Sequence, residues 1–211
     1  MPDQDPADLP SKLTLLTPAQ FELSDYSAQL EAVYDAVEVS CLRLSLVTRD
    51  EETLCRAADV LRSLSHARDI PVIIDDHYRL VARAGLDGVH LSDGARKVRD
   101  VRKLLGPDAI VGAFCGTSRH SGMSAGEAGA DYISFGPATA GGLLGDGEPV
   151  EPDVFRWWSE MIELPVVAEG GLTDAILGSI AQDCDFLCLG DEIWQDPDGA
   201  VAAARRISRL L

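Results

Sequence analysis

The sequence has no long apolar run, no basic cluster and no C-x-x-C pair of cysteines. No apolar stretch approaches the roughly 18 residues of a transmembrane helix, and the acidic segment 1–10 has no signal-peptide core. The five cysteines form no C-x-x-C motif and leave one over in any disulfide scheme, which is typical of reduced thiols. We therefore expect a soluble, cytoplasmic protein without a membrane partner, in which residues 1–11 form a flexible N-terminal extension.

Positive charge is also scarce. The chain carries 18 Lys and Arg residues against 35 Asp and Glu, a formal net charge of −17. Such a charge repels phosphate backbones, and no run of Lys or Arg supplies a local basic patch. A nucleic-acid partner is therefore not expected. The 211 residues, 46% of them hydrophobic, suffice for one domain with a sizeable core.

Short apolar runs alternate with segments of helical periodicity along the whole chain. The runs that we predict as strands are 13–17, 42–48, 71–75, 88–91, 109–113, 131–135, 165–169 and 185–190. The predicted helices are 24–37, 51–67, 77–84, 96–105, 125–128, 152–162, 173–181 and 197–210. This α/β pattern favours a single-domain (β/α)8 TIM barrel. A doubly wound sheet is the alternative, but no G-x-G-x-x-G follows the first strand.

Two similar strings, at 84–91 and 128–135, each predict a helix end, a turn through an aspartate and a buried strand. We interpret the two aspartates, Asp87 and Asp131, as turn residues. His90, within an apolar strand, is interpreted as a core histidine. Trp157 and Trp158 are interpreted as packing residues or as a contact within a homo-oligomer.

Polar residues at the carboxyl ends of the strands are the candidates for a functional site, because barrels of this kind bind ligands there. Arg43 and Ser45 share one face of the second strand, and an inward-facing Arg43 needs either an anionic ligand or a carboxylate partner. The string Asp75-Asp76-His77 is suited to a hard metal or to acid–base chemistry. The alternative is that Asp76 caps the following helix.

The loops after strands seven and eight give conflicting signals. Gly170 and Gly171 precede a helix whose first N–H groups could bind an anion, although close packing of helix and strand explains the glycines equally well. After strand eight, Gly190 is followed by Asp191 and Glu192. Two carboxylates repel a phosphate, which argues against an intact phosphate site.

Four strings resemble thiamine phosphate synthase and its thiazole tautomerase relative: PVIIDDH from Pro71, GLDGVHL from Gly85, GADYISFGP from Gly129 and PVVAEGG from Pro165. The resemblance extends from about residue 42 to residue 194. It implies a TIM barrel and a cytoplasmic transferase of thiamine biosynthesis that binds phosphate-bearing small molecules. That transferase couples a pyrimidine diphosphate with a thiazole phosphate and releases pyrophosphate with the help of Mg²⁺.

Residue by residue, the resemblance implies a substrate-binding role for Arg43, Ser45, Asp75, Gly170 and Gly190. It implies a magnesium ligand at Asp76. The catalytic residues stay unassigned.

The sequence departs from the family pattern at several of these positions. The family's strand-two Gln-x-Arg-x-Lys falls on Arg43, Ser45 and Val47, so the lysine charge is missing. Its second metal aspartate falls on Ala95, with Asp93 two residues away as the candidate substitute. The remaining changed positions are the strand-five serine at Phe114, the pyrophosphate-binding loop at Gly141, Leu143 and Leu144, the strand-eight serine at Asp191, and the tautomerase histidine at Pro137.

Three hypotheses for function follow. The first is a divergent thiamine phosphate synthase-like enzyme. The second is a non-catalytic family member that binds a metabolite or a protein. The third is another lyase or isomerase that uses the acidic site of Asp75, Asp76, His77 and Glu169 on a neutral or cationic substrate.

Overall fold

The computed structural model describes residues 11–140 and 144–211. Eight parallel strands pair in sequential order, and β1 pairs with β8 to close the barrel. The strands are β1 Lys12–Leu16, β2 Cys41–Leu44, β3 Val72–Asp75, β4 Gly88–Leu91, β5 Ile110–Phe114, β6 Tyr132–Phe135, β7 Val166–Glu169 and β8 Phe186–Leu189. The predicted TIM barrel is confirmed.

Helices follow the strands and cover the outside of the barrel. They are α1 Leu23–Tyr34, α2 Glu51–His66, α3 Val81–Ala84, α4 Val98–Leu105, α5 Arg119–Glu127, α6 Pro152–Met161, α7 Asp174–Ile180, α8 Asp191–Trp194 and α9 Ala200–Ser208. Short 3₁₀ turns lie at 78–80, 94–96 and 181–183. Among the described residues, no helix combines the length and apolar character of a membrane span.

Some boundaries differ from those predicted, for local reasons. Helix α5 begins six residues before the predicted start at 125, because the Ser118 side chain accepts a hydrogen bond from Ser121 N (3.2 Å) and caps the helix. Strand β2 ends at Leu44, since the next N–H, that of Ser45, donates to Thr17 Oγ1 (3.0 Å). Ser11, assigned to the extension, is buried, and its hydroxyl donates to Cys184 O (2.6 Å).

The tryptophan pair on α6 divides into a buried member and an outer member. Trp158 is fully buried, meets the ring of Phe135 edge-on at 5.2 Å and donates to Leu164 O (2.8 Å). Trp157 is partly buried, and the Arg119 guanidinium lies 4.8 Å from its ring centroid. Packing between helix and barrel therefore accounts for Trp158.

Three aspartates that precede even-numbered strands each accept a hydrogen bond from a backbone N–H near the start of the preceding strand. Asp87 accepts from Val72 N (2.6 Å), Asp131 from Val111 N (2.7 Å) and Asp185 from Val166 N (2.8 Å). Asp87 also contacts His66 Nε2 (2.8 Å). Turn formation is therefore only part of the role of Asp87 and Asp131, because each side chain also satisfies a backbone donor near the start of a strand.

We expect Asp185→Ala to lower the free energy of unfolding by about 1–3 kcal/mol, because it leaves the N–H of buried Val166 without an acceptor. Asp108→Ala is the matched control, since Asp108 is also an exposed turn aspartate. Urea unfolding of both variants measures the difference. Equal stability of the two variants would mean that the carboxylate is dispensable.

Candidate functional site at the carboxyl end of the barrel

A buried ionic cluster lies inside the barrel, with Arg43 of β2 at its centre. The Arg43 Nε lies 2.8 Å from Asp75 Oδ1 at the end of β3, and its Nη1 lies 2.8 Å from Glu169 Oε2 at the end of β7. The side chains of Arg43 and Glu169 are 6% and 2% exposed. Arg43 therefore points inward, and its anionic partners are the protein's own carboxylates. With both carboxylates ionised, the three groups together carry one negative charge.

His90 of β4 extends this cluster toward the interior. Its Nδ1 lies 2.8 Å from the Tyr132 hydroxyl, and its Nε2 lies 3.5 Å from Ser134 Oγ and 3.6 Å from Glu169 Oε1. Burial, with a further contribution from the Arg43 charge, holds the pKa of His90 well below its usual value. His90 is thus a neutral core histidine, as predicted. No sequence signal indicated the contribution of Tyr132.

Asp75 is the member of the cluster that reaches the mouth of the barrel, which is the opening at the carboxyl ends of the strands. Of its side chain, 23% is exposed. Burial raises the pKa of this carboxyl group, while Arg43 and a hydrogen bond from Ser45 lower it, and the net effect is upward. The structure therefore brings together Arg43, Ser45 and Asp75, three of the predicted substrate-binding residues.

Asp76 turns away from the helix that it was predicted to cap. Its Oδ1 accepts from Ser92 N (2.9 Å) and its Oδ2 from Ser92 Oγ (2.6 Å), across the neighbouring strand end. The backbone of Asp76 is left-handed, with φ 54°, and the 3₁₀ turn that begins at Tyr78 has no side-chain cap. The helix-capping interpretation is wrong: the carboxylate ties the loop after β3 to the loop after β4.

The residues near Asp76 do not fit a resident magnesium ion. Asp93, the candidate substitute ligand, forms an ion pair with the Lys97 ammonium (2.8 Å), and the side chain of Ala95 offers no oxygen. One oxygen of Asp93, Oδ1, is buried without a hydrogen-bond partner. Across the described ranges, no group of three or more His, Cys, Asp or Glu side chains could hold a metal ion. Lys97 already supplies the positive charge that Asp93 requires.

The glycines after β7 allow two loops to approach closely. A Cβ at Gly171 (φ 71°) would overlap Thr139 Oγ1, and one at Gly170 (φ 80°) would lie 2.8 Å from a methyl group of Leu144. The N–H of Ala138 donates to Gly170 O (2.6 Å). Close packing of the loop after β6 therefore accounts for both glycines. Of the predicted pyrophosphate-loop positions, Gly141 and Leu143 lie outside the described residues.

Glu192, at the start of α8, fills the space between the loops after β7 and β8. Its Oε1 accepts from Leu172 N (3.0 Å) and its Oε2 from Gly190 N (2.9 Å). These are the two loops that hold phosphate in many TIM barrels. The N–H of Gly190, a predicted substrate-binding residue, is thus already bonded to an internal carboxylate. The sequence indicated a negative charge here but not that it turns back onto the backbone.

Comparison with known proteins decides the family. The model of the family described as thiamine monophosphate synthase matches residues 13–193, which is most of the chain. The chain belongs to the thiamine monophosphate synthase family. A thiamine-phosphate synthase of Rhodospirillum centenum is 39% identical over 201 residues, 95% of this chain and 97% of the relative. One from Hyphomonas neptunium is 33% identical over 210 residues, 95% and 93% of the two chains.

A solved structure with the same fold is that of thiamine phosphate pyrophosphorylase from Pyrococcus furiosus. It superposes with a TM-score of 0.80 at 19% identity and covers 94% of each chain. Members of other enzyme classes share the barrel, among them a 3-hexulose-6-phosphate synthase with a TM-score of 0.68 at 15% identity, covering 95% of this chain and 99% of its own. At these identities the structures confirm the fold, and the sequence match establishes thiamine monophosphate synthase family membership.

We expect Arg43→Met to lower the free energy of unfolding by about 3–5 kcal/mol near pH 7, because Asp75 and Glu169 lose their shared cation. Without Arg43 the pKa of Asp75, already raised by burial, rises further. The folded variant then binds protons that the unfolded chain does not, so its deficit grows as the pH rises and shrinks as it falls.

Urea unfolding between about pH 5 and pH 8 measures this dependence. Arg68→Met is the control, because Arg68 pairs with exposed Asp35 (3.0 Å), and its loss costs at most about 1 kcal/mol. If the loss of unfolding free energy in Arg43→Met does not vary with pH, Arg43 is not the cation that keeps Asp75 ionised.

Proposed function

We propose that this chain is a divergent member of the thiamine monophosphate synthase family that binds a neutral or cationic small molecule at the carboxyl end of the barrel. In this proposal it does not couple a pyrimidine diphosphate with a thiazole phosphate. The observation that carries the proposal is the Glu192 carboxylate on the N–H groups of Leu172 and Gly190. A phosphate at that place would lose both donors and would meet a like charge.

The balance of charge around the mouth supports the same conclusion. A diphosphate leaving group needs cations that stabilise the developing negative charge. Arg43 is already paired with two carboxylates, and Lys97 is paired with Asp93. The segment 136–151, which includes the pyrophosphate-loop positions, contains no Lys, Arg or His. Among these groups, therefore, no cation without a carboxylate partner is left to stabilise a departing diphosphate.

The same groups favour a ligand without negative charge. Asp75 is partly exposed at the mouth, and Asp76 and Asp191 are exposed nearby. A thiazolium or another organic cation would gain from this field, and a neutral thiazole would not be repelled. Binding in this proposal requires no Mg²⁺, since Asp76 is engaged by Ser92 and Asp93 by Lys97. A cytoplasmic location and a homo-oligomeric state stay predictions.

The second candidate function is the coupling reaction itself, with Mg²⁺ and phosphate-bearing substrates. Its support is the 39% identity to the Rhodospirillum centenum synthase over 95% of this chain. For this function the Glu192 side chain must leave the two N–H groups when the thiazole phosphate binds. Asp93 must also exchange Lys97 for the metal ion.

Titration and turnover assays separate the two candidates. We expect the wild-type protein to bind thiamine saturably in calorimetry, with no binding of thiazole phosphate or pyrophosphate and no effect of Mg²⁺. We expect Glu192→Ala to gain saturable binding of thiazole phosphate, at least about tenfold tighter than the detection limit that wild type does not reach, because two backbone donors are freed and a like charge is removed.

Glu160→Ala is the matched control, because Glu160 is an exposed glutamate on α6 and its loss changes the net charge equally. It should bind ligands as wild type does. Mg²⁺-dependent formation of thiamine phosphate by the wild-type protein, with release of pyrophosphate, would contradict the first proposal and support the second.

A further inference from the structure

The interior of the barrel near its amino-terminal end is lined by small side chains. In TIM barrels this layer is ordinarily filled by Val, Ile and Leu. Here Thr14 of β1 is in register with Cys41 of β2 on one side and with Cys188 of β8 on the other. Three consecutive strands around the barrel therefore contribute short side chains at one level, and together they leave space unfilled.

The opposite wall of this space is formed by Tyr132 of β6. Its ring lies against Gly112 of β5, where any Cβ would overlap the phenol. The Tyr132 hydroxyl contacts His90 Nδ1 (2.8 Å), which fixes the ring across the barrel. Above the space lies Arg43, held by Asp75 and Glu169. The ionic cluster thus closes this space toward the mouth.

The result is a cavity of about 190 Å³. Most of its wall is apolar, and the lining residues are Thr14, Ser40, Cys41, Arg43, Pro71, Ile73, Ile110, Tyr132, Val167, Phe186 and Cys188. Three of these lining residues lie where strands begin and are half-buried, namely Pro71, Ile110 and Phe186. The cavity therefore opens toward the amino-terminal face of the barrel. An apolar protein cavity of roughly 150 Å³ is large enough to bind benzene.

The chemistry of the lining selects against a charged occupant. Burial raises the pKa of the Cys41 thiol to about 12 and also raises the pKa of the Cys188 thiol, so both are neutral near pH 7. The Arg43 charge is compensated by two carboxylates. The hydroxyls of Thr14 and Ser40 provide a small polar edge in an otherwise apolar wall.

We propose that this cavity is a second binding site, at the end of the barrel opposite the mouth, for a small neutral ring compound that carries one hydroxyl group. A molecule of the size of a cresol fits the volume, buries its ring between Tyr132 and Val167, and directs its hydroxyl to the polar edge. The site does not depend on the function proposed for the mouth. Its occupant contacts Tyr132 and Arg43, which belong to the ionic cluster that positions Asp75.

Titration of the full-length protein with p-cresol tests the proposal. We expect saturable binding of one molecule per chain in calorimetry, and chemical-shift changes in amide NMR spectra that centre on Cys41, Tyr132 and Val167. Val167→Phe fills the cavity and should weaken binding about tenfold or more. Val167→Leu, a smaller change, should weaken binding in the same direction and serves if the larger ring impairs folding.

Leu104→Phe is the matched control, because Leu104 is 59% exposed on α4, on the outside of the barrel. It should bind p-cresol as wild type does. No saturable binding by the wild-type protein would overturn the proposal. So would p-cresol located at the mouth in a crystal structure, or an affinity that neither Val167 variant lowers.

Discussion

The buried guanidinium of Arg43 is the contact on which the inner architecture of this barrel depends. It joins β2 to the ends of β3 and β7, which do not neighbour one another in the sheet. Two carboxylates in the interior are tolerable only because they share this cation. His90 stays neutral next to them because burial, with a further contribution from the Arg43 charge, holds its pKa well below the usual value. Cavity, cluster and mouth are therefore layers along one axis.

Several polar groups at the mouth of the barrel are bonded to partners within the chain. The Glu192 carboxylate accepts hydrogen bonds from backbone N–H groups of two loops. Ser92 donates to Asp76, and Lys97 forms an ion pair with Asp93. Each of these contacts stabilises the unliganded barrel and competes with an external anion or metal ion. A ligand must either displace one of these side chains or bind without needing its partner. In the function proposed here, these contacts within the chain therefore decide which ligands can bind.

The strand pattern was predictable from sequence, because parallel strands buried on both faces give apolar runs that no helical period explains. Alternation along β2 predicted that Arg43 and Ser45 share one face, but it left open whether that face points inward. The return of Glu192 onto Leu172 and Gly190 was not predictable, since it depends on the dihedral angles of one side chain and on the meeting of loops about 20 residues apart. The α5 start was missed because its glycine-rich sequence gives a weak apolar period.

Asp87, Asp131 and Asp185, which precede β4, β6 and β8, each bond to the strand before and so link the strands in pairs. Ser40 occupies the corresponding position before β2, and its N–H donates to Leu13 O (2.8 Å) as the N–H of Asp87 donates to Val72 O (2.9 Å). The β1–β2 unit therefore repeats the backbone hydrogen bond of the other units, but Ser40 has no carboxylate to accept a second one. The β1–β2 unit also adjoins the seam where β1 meets β8. Local opening of the barrel should begin at this unit, so amide exchange with solvent will be fastest there among the strand pairs.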